Sequence, residues 1–190
     1  MSLSPEERAY LLQLARETLE RAFGWRKDYS LPYPPPWEAL REPRGAFVTL
    51  KKGGKLRGCI GSFEATSPLY RVVEEMAQAA AFNDPRFPPL APEELERVEI
   101  EISVLSPLRP GRPEEVEVGR HGVYLVQGVF RGVLLPQVAV EQGWDRETFL
   151  DHVCLKAGLP PRCWQDPRTE VYLFTAEVFE EKGELERGLA

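Results

Sequence analysis

The sequence predicts an α+β fold, one mostly antiparallel sheet with helices packed on it. Three observations predict it. Two strand-like runs, Gly45 to Lys52 and Lys55 to Phe63, flank a Gly53-Gly54 dipeptide, the signature of a tight hairpin. Val98, Ile100, Ile102 and Val104 alternate with Glu99, Glu101 and Ser103, the pattern of a half-buried strand. Segments with apolar residues at helical spacing stand among these strands without a regular βαβ rhythm. The 190 residues suit a single domain spanning 1–190.

The elements follow in order. Ser4-Pro5-Glu6-Glu7 opens a helix, because Ser4 caps free N–H groups, Pro5 fits the first helical position and Glu7 completes a capping box. Leu11, Leu14, Ala15, Thr18 and Ala22 form its apolar stripe and Gly24 ends it. Residues 25–44 hold five prolines (Pro32, Pro34, Pro35, Pro36 and Pro43) and the aromatics Trp25, Tyr33 and Trp37. This stretch reads as a non-helical strap packed over the core. After the hairpin, Ser67-Pro68 starts a second helix with Leu69, Val72, Val73, Met76 and Ala80 inward. It stops near Asn83, because Pro85 disfavours helical geometry at Asp84. Pro92 to Leu95 forms one short turn. Val123 to Val126 and Val129 to Leu134 make a second hairpin, Pro136 to Gln142 a short helix, and Asp145 caps a third long helix with Phe149, Leu150, Val153 and Ala157 inward. Glu170 to Phe179 is a final strand.

Composition excludes several classes. Hydrophobic residues at 43% and charged residues at 28% are globular values. No apolar run approaches the roughly 20 residues that cross a bilayer, and Glu and Arg interrupt the N-terminal stretch where a signal peptide needs apolar residues. A cytoplasmic protein without membrane contact is expected. The formal charge of −6 argues against a broad phosphate-backbone binder. Arginine outnumbers lysine 18 to 6, prolines number 18 and Asn83 is the lone asparagine, as in thermophile proteins or those of GC-rich genomes. The three cysteines, Cys59, Cys154 and Cys163, suggest no disulfide framework, and with His121 and His152 they are too scattered for a metal site. Cys154 reads as a core residue of its helix and Cys163 as structural.

The most unusual segment is Leu56-Arg57-Gly58-Cys59-Ile60-Gly61. Glycines inside a strand are tolerated where a bulge or the close approach of another group requires them. Alternation places Arg57 and Cys59 on one face, about 7 Å apart. In a partly closed site Arg57 would then favour a reactive thiolate at Cys59; a small packed core cysteine is the other reading. His121, at the entry to a strand, has the position of a general base, or of a hydrogen-bonded structural histidine. Glu101 shares the polar face of its strand with Glu99 and Ser103, either solvated or lining a cleft. Asn83-Asp84-Pro85-Arg86-Phe87 concentrates a carboxylate, a guanidinium and an aromatic in one rigid turn. There Asp84 and Arg86 pair with each other, brace the Cys59 strand, or bind an anion.

At these segments the sequence resembles the AMMECR domain family. Leu56-Arg57-Gly58-Cys59-Ile60-Gly61 matches the family's hallmark hexapeptide, and Asp84-Pro85-Arg86-Phe87-Pro88-Pro89 resembles its second motif. Val104-Leu105-Ser106-Pro107, His121-Gly122, Leu135-Pro136-Gln137-Val138-Ala139, and Gly143-Trp144 with Lys156-Ala157-Gly158 follow in the family's order. The resemblance covers roughly residues 8–180. It implies an α+β fold whose larger and smaller parts form a cleft near the hexapeptide. It carries no established activity and no known cofactor. In prokaryotes such domains are often encoded beside, or fused to, Memo-type and radical S-adenosylmethionine proteins, which implies one component of a pathway modifying RNA or a small molecule.

Three functions follow as expectations. In a cysteine-dependent enzyme, Cys59, His121 and Glu101 are the catalytic residues, with Arg57, Gly58, Gly61, Asp84 and Arg86 binding substrate and no metal. In a binding or adaptor module, Arg57 and Arg86 grip a ligand or partner. In a purely architectural role, the glycines let a helix lie close on the sheet. The enzyme reading also expects Arg57, Cys59, Glu101 and His121 to converge on one cleft.

Overall fold

In a computed structural model of the chain, which describes residues 2–182, the elements run α1 (Pro5–Ala22), α2 (Glu38–Arg41), β1 (Ala46–Lys52), β2 (Lys55–Ser62), α3 (Leu69–Phe82), β3 (Val98–Leu105), β4 (Arg109–Gly111), β5 (Gly122–Gln127), β6 (Phe130–Leu134), α4 (Pro136–Gln142), α5 (Arg146–Lys156), β7 (Glu170–Phe174) and β8 (Ala176–Glu180). A 3-10 turn spans Pro92–Arg97. The α+β class is as the sequence predicts, but the strands form two sheets rather than one. Their orders are β2–β1–β3–β8 and β4–β7–β5–β6. The chain divides accordingly into two compact units, a smaller one at Leu105–Ala176 and a larger one holding the other described residues.

The single final strand expected from Glu170 to Phe179 breaks at Thr175. There the Ser106 hydroxyl accepts the Thr175 N–H at 2.8 Å, and the Thr175 carbonyl accepts from the Ser106 N–H at 2.8 Å. These bonds divide one apolar run into β7 and β8, which belong to different sheets. Periodicity alone does not show such a break, because the residues on both sides keep strand character.

In the larger unit, β1 pairs antiparallel with both β2 and β3. One face of this sheet presents Val48, Leu50, Ile100 and Ile102, all fully buried with the apolar stripes of α1 and α3. The Ser4–Glu7 capping box forms as expected, with Ser4 N–H donating to Glu7 at 2.7 Å and Glu7 N–H donating to the Ser4 hydroxyl at 3.1 Å. The α1 stripe ends at Leu19, and Ala22 is exposed because the helix passes beyond the core there. Gly53 and Gly54 both take positive φ, +59° and +76°, as the hairpin requires.

The Pro-rich strap is ordered and packed, with one exception to its expected lack of helix. Residues after Pro36 are free of proline until Pro43, and the single turn α2 forms there around the buried Leu40. Three tyrosines fix the strap to the helices. Tyr10 donates to the Pro32 carbonyl at 2.6 Å, and Tyr29 and Tyr33 donate to the two carboxylate oxygens of Glu74 at 2.6 and 2.8 Å.

In the smaller unit, Val123, Leu125, Val171 and Leu173 pack with Phe149, Leu150 and Val153 of α5. Cys154 and Cys163 form a disulfide, against the expectation of none. The chain reverses through Gly158 to Pro161 and returns Cys163 to within 5.8 Å (Cα to Cα) of Cys154. Nothing in a nine-residue spacing distinguishes this pairing from two separate core cysteines. No helix among the described residues is long and apolar enough to cross a membrane.

Candidate functional site

The hexapeptide lies on β2, the outer strand of the larger sheet. Edge strands present unpaired backbone groups, and here the second motif covers them. The Cys59 N–H donates to Asp84 Oδ2 at 2.9 Å. The Cys59 carbonyl accepts from Arg86 Nη2 at 3.2 Å. Asp84 in turn accepts from Arg86 at three points, the backbone N–H at 3.0 Å, Nε at 3.1 Å and Nη2 at 2.9 Å. Asp84, Arg86 and the Cys59 backbone thus close a ring. The Asp84 carboxylate is 4% exposed. Its hydrogen bonds from Arg86 and from the two backbone N–H groups hold it well below the usual carboxylate range against the opposing effect of burial.

Gly58 explains the close approach on the other side of the strand. A methyl group there would collide with the Ala80 carbonyl of α3. At Gly61 the same addition would run into the Phe47 ring. The first contact is with helix backbone and the second with a side chain.

Arg57 does not act on Cys59 as alternation predicts. Leu50 pairs with Gly58 and Lys51 with Leu56, so Arg57 is an extra residue in a β-bulge. The bulge takes Arg57 out of the alternating pattern. Its guanidinium is instead held by Glu94 of the 3-10 turn, Nε to Oε1 and Nη2 to Oε2, both at 3.0 Å. This two-pronged geometry is the strong form of the pair. Glu94 also accepts from the Ala91 N–H at 2.8 Å and Lys52 Nζ at 3.1 Å. Arg57 above all, with the Ala91 N–H, holds the Glu94 carboxyl down at about 2. Phe87 lies beside both guanidiniums, 6.0 Å from Arg57 and 5.6 Å from Arg86.

The Cys59 side chain is half-buried. Its sulfur accepts from the Thr49 hydroxyl at 3.1 Å. Burial pushes the thiol above its ordinary value. The Thr49 hydroxyl and the Arg86 charge pull it down, and Asp84 and Glu101 push it up again. The shift runs away from the thiolate that alternation with Arg57 predicts. Glu101 stands across β1 from Cys59, since Thr49 pairs with both. Two strand spacings, about 10 Å, separate the two backbones. Its carboxylate meets Lys51 Nζ at 3.3 Å rather than the thiol.

His121 belongs to the smaller unit and is 6% exposed. Its Nδ1 accepts from the Glu117 N–H at 3.0 Å, so in the neutral ring the proton sits on Nε2. Burial, with Arg120 and Arg109 nearby, holds its pKa below the ordinary value. The other histidine, His152, stacks on Trp144 at 3.7 Å between ring centres and bonds the Thr148 carbonyl through Nδ1.

The structure therefore gathers Cys59, Gly58, Asp84 and Arg86 at one place and holds Arg57 by Glu94. Sequence reasoning misses Thr49, Glu94 and Phe87 as partners. Thr49 gives a weak signal, a hydroxyl within the strand-like run Phe47–Lys51, but Glu94 reads only as part of a short turn.

Comparison with known proteins agrees with the motifs. The AMMECR1 family model matches residues 12–179. A protein of Methanothermobacter thermautotrophicus is 46% identical over 188 residues, covering 95% of this chain and 97% of its own. One of Methanopyrus kandleri is 47% identical over 190 residues, covering 95% and 91%. The crystal structure of an uncharacterized protein from Pyrococcus horikoshii superposes with a TM-score of 0.79 at 45% identity, covering 91% of this chain and 90% of that one. Motifs, fold and relatives agree, and the chain belongs to the AMMECR1 family.

Proposed function

We propose that the protein is a recognition component of a modification pathway, working with Memo-type and radical S-adenosylmethionine proteins, rather than a thiolate enzyme. One observation carries this reading: the charged groups of the two motifs are committed to holding the Cys59 strand, and burial disfavours the thiolate of the cysteine they surround. A nucleophilic cysteine needs a lowered pKa and an adjacent base. Cys59 has neither, since its hydrogen-bond partner is the Thr49 hydroxyl. What the ring offers outward is Arg86, whose side chain is 56% exposed. Among the described residues its Nη1 has no acceptor, and its face is backed by Phe87. A guanidinium fixed in this way recognises a carboxylate or phosphate without first losing side-chain entropy. The net charge of −6 argues against the dense polyanion of an RNA backbone, so the occupant proposed is a single carboxylate of a protein segment.

The test has two arms. Iodoacetamide labelling of native Cys59 against pH is expected to show a midpoint above the roughly 8.5 of a free thiol; a midpoint at or below neutrality restores the enzyme. Capture of a Memo-type protein from the same genome is expected to fall with Arg86→Ala and persist with Cys59→Ser. The reverse pattern overturns the recognition role.

A further inference from the structure

Within the smaller unit, Ser106, Pro107, Arg109, Arg120, His121, Leu173, Phe174 and Thr175 line a cavity of about 120 Å³. That is room for several waters and well under the ~300 Å³ or more of a pocket for a whole organic cofactor. Two features mark it as a site. First, His121 is buried, and the Glu117 N–H fixes Nδ1 as the acceptor at 3.0 Å. Its Nε2–H has no protein acceptor, and no buried side-chain nitrogen or oxygen lacks a partner among the described residues. Nε2–H therefore reaches accessible space, and the cavity His121 lines is that space. Second, two guanidiniums join it there. Arg109 meets Glu115 through Nη1 alone at 3.2 Å, and Arg120 meets Glu117 through Nη1 alone at 3.3 Å. Each keeps further N–H groups without a protein acceptor.

The cavity thus collects donors and no side-chain carboxylate. Glu115 and Glu117 are the acidic groups near His121, and both are engaged by these arginines. The Ser106 hydroxyl accepts the Thr175 N–H, and its only acceptor is the Pro107 carbonyl at 3.4 Å. That is a long contact for an O–H donor, so its proton is available as well.

We propose that this cavity binds a small oxyanion, a phosphate or the phosphate group of a monoester, with His121 Nε2–H donating to one oxygen and Arg109 and Arg120 neutralising the charge. A neutral imidazole suffices as donor, because protonating Nδ1 would break its bond from the Glu117 N–H. The site does not depend on the role of the hexapeptide.

The test is titration of the intact protein with inorganic phosphate at constant ionic strength, followed by nitrogen-15 NMR of the imidazoles. His121 signals are expected to shift saturably at millimolar phosphate, with His152 as the unmoved reference. Arg120→Gln, at a side chain 65% exposed and so safe for folding, is expected to weaken binding about tenfold, the worth of one charge-assisted hydrogen bond. Ribose 5-phosphate binding tighter than phosphate assigns the esterified group, and equal affinity assigns the free anion. A His121 signal that does not move, that chloride moves equally, or that Arg120→Gln leaves with unchanged affinity overturns the site.

Discussion

The hexapeptide strand and the His121 cavity both gather arginine and one potentially reactive side chain, yet they use them in opposite ways. Around Cys59 the charged groups satisfy one another and the strand backbone, through Asp84 with Arg86 and through Glu94 with Arg57. Around His121 one ring nitrogen is fixed and the other is left open, and each arginine is held at a single point. A conspicuous motif is therefore not by itself the reactive place in a fold. The first cluster holds a shape and keeps one outward donor, Arg86 Nη1, whereas the second leaves a ring nitrogen and two guanidiniums with unused donors.

The comparison breaks most readily at Gly58. Replacing it with Ala drives a methyl into the Ala80 carbonyl, where backbone lies on both sides of the contact. The expected loss is about 3 kcal/mol, the upper end of the usual cost of overpacking, measured by denaturant unfolding. Gly61→Ala meets the Phe47 ring at its root, so that side chain must move as a whole but no backbone must, and a smaller loss of about 2 kcal/mol is expected there. Equal losses at the two glycines would mean that β2 does not rest on α3 as described.

Asp84→Asn comes next. It keeps the shape of the side chain but removes the charge that takes the Cys59 N–H and the Arg86 guanidinium. A loss of about 2 kcal/mol is expected, the scale of a charge-assisted hydrogen bond to a buried acceptor. Arg86→Ala should cost a similar amount, about 2 kcal/mol, because it takes the guanidinium away from the buried Asp84 carboxylate even though its own side chain is half-exposed. A double-mutant cycle should give a coupling of at least about 0.5 kcal/mol; additive losses would dissolve the ring.

Much of this architecture is legible in the sequence, and the exceptions have physical causes. The capping box at Ser4, the Gly53-Gly54 turn and the apolar stripe of α3 depend on residues within one or two turns of each other, and each forms as read. The closeness of Gly58 to a helix is also readable, because only a close neighbour justifies glycine in mid-strand. Arg57 misleads because alternation assumes an unbroken register, and a one-residue bulge reverses the inference. The second sheet is hidden because the break at Thr175 is made by Ser106, far away in sequence. The Cys154–Cys163 disulfide depends in the same way on a loop path that spacing does not encode. His121 stands out as a residue, but the cavity it lines comes from three separated segments.

Acid titration sharpens the comparison with the smallest effects, and here the two regions should part by pH. Glu94 ionises at about 2 in the fold against an ordinary 4.5, and Asp84 is held low in the same direction. A carboxylate lowered in the folded state contributes stability above its unfolded pKa, and that contribution is lost as pH falls toward the folded value. The hexapeptide region should therefore hold its stability down to about pH 4.5 and lose it below. His121 is a base lowered in the fold from 6.5. The unfolded chain takes up its proton first, so its contribution is present above about 6.5 and begins to fall as pH drops below that value. Hydrogen exchange read residue by residue separates the two. Amides of β5, beside His121, should lose protection in the window below 6.5, while Cys59 and its β1 neighbours stay protected to about 4.5. His121→Gln should remove the first step and leave the second in place. Absence of any step in β5 between 6.5 and 4.5 would show that His121 is not held neutral by burial, and that the contrast between the two clusters does not extend to protons.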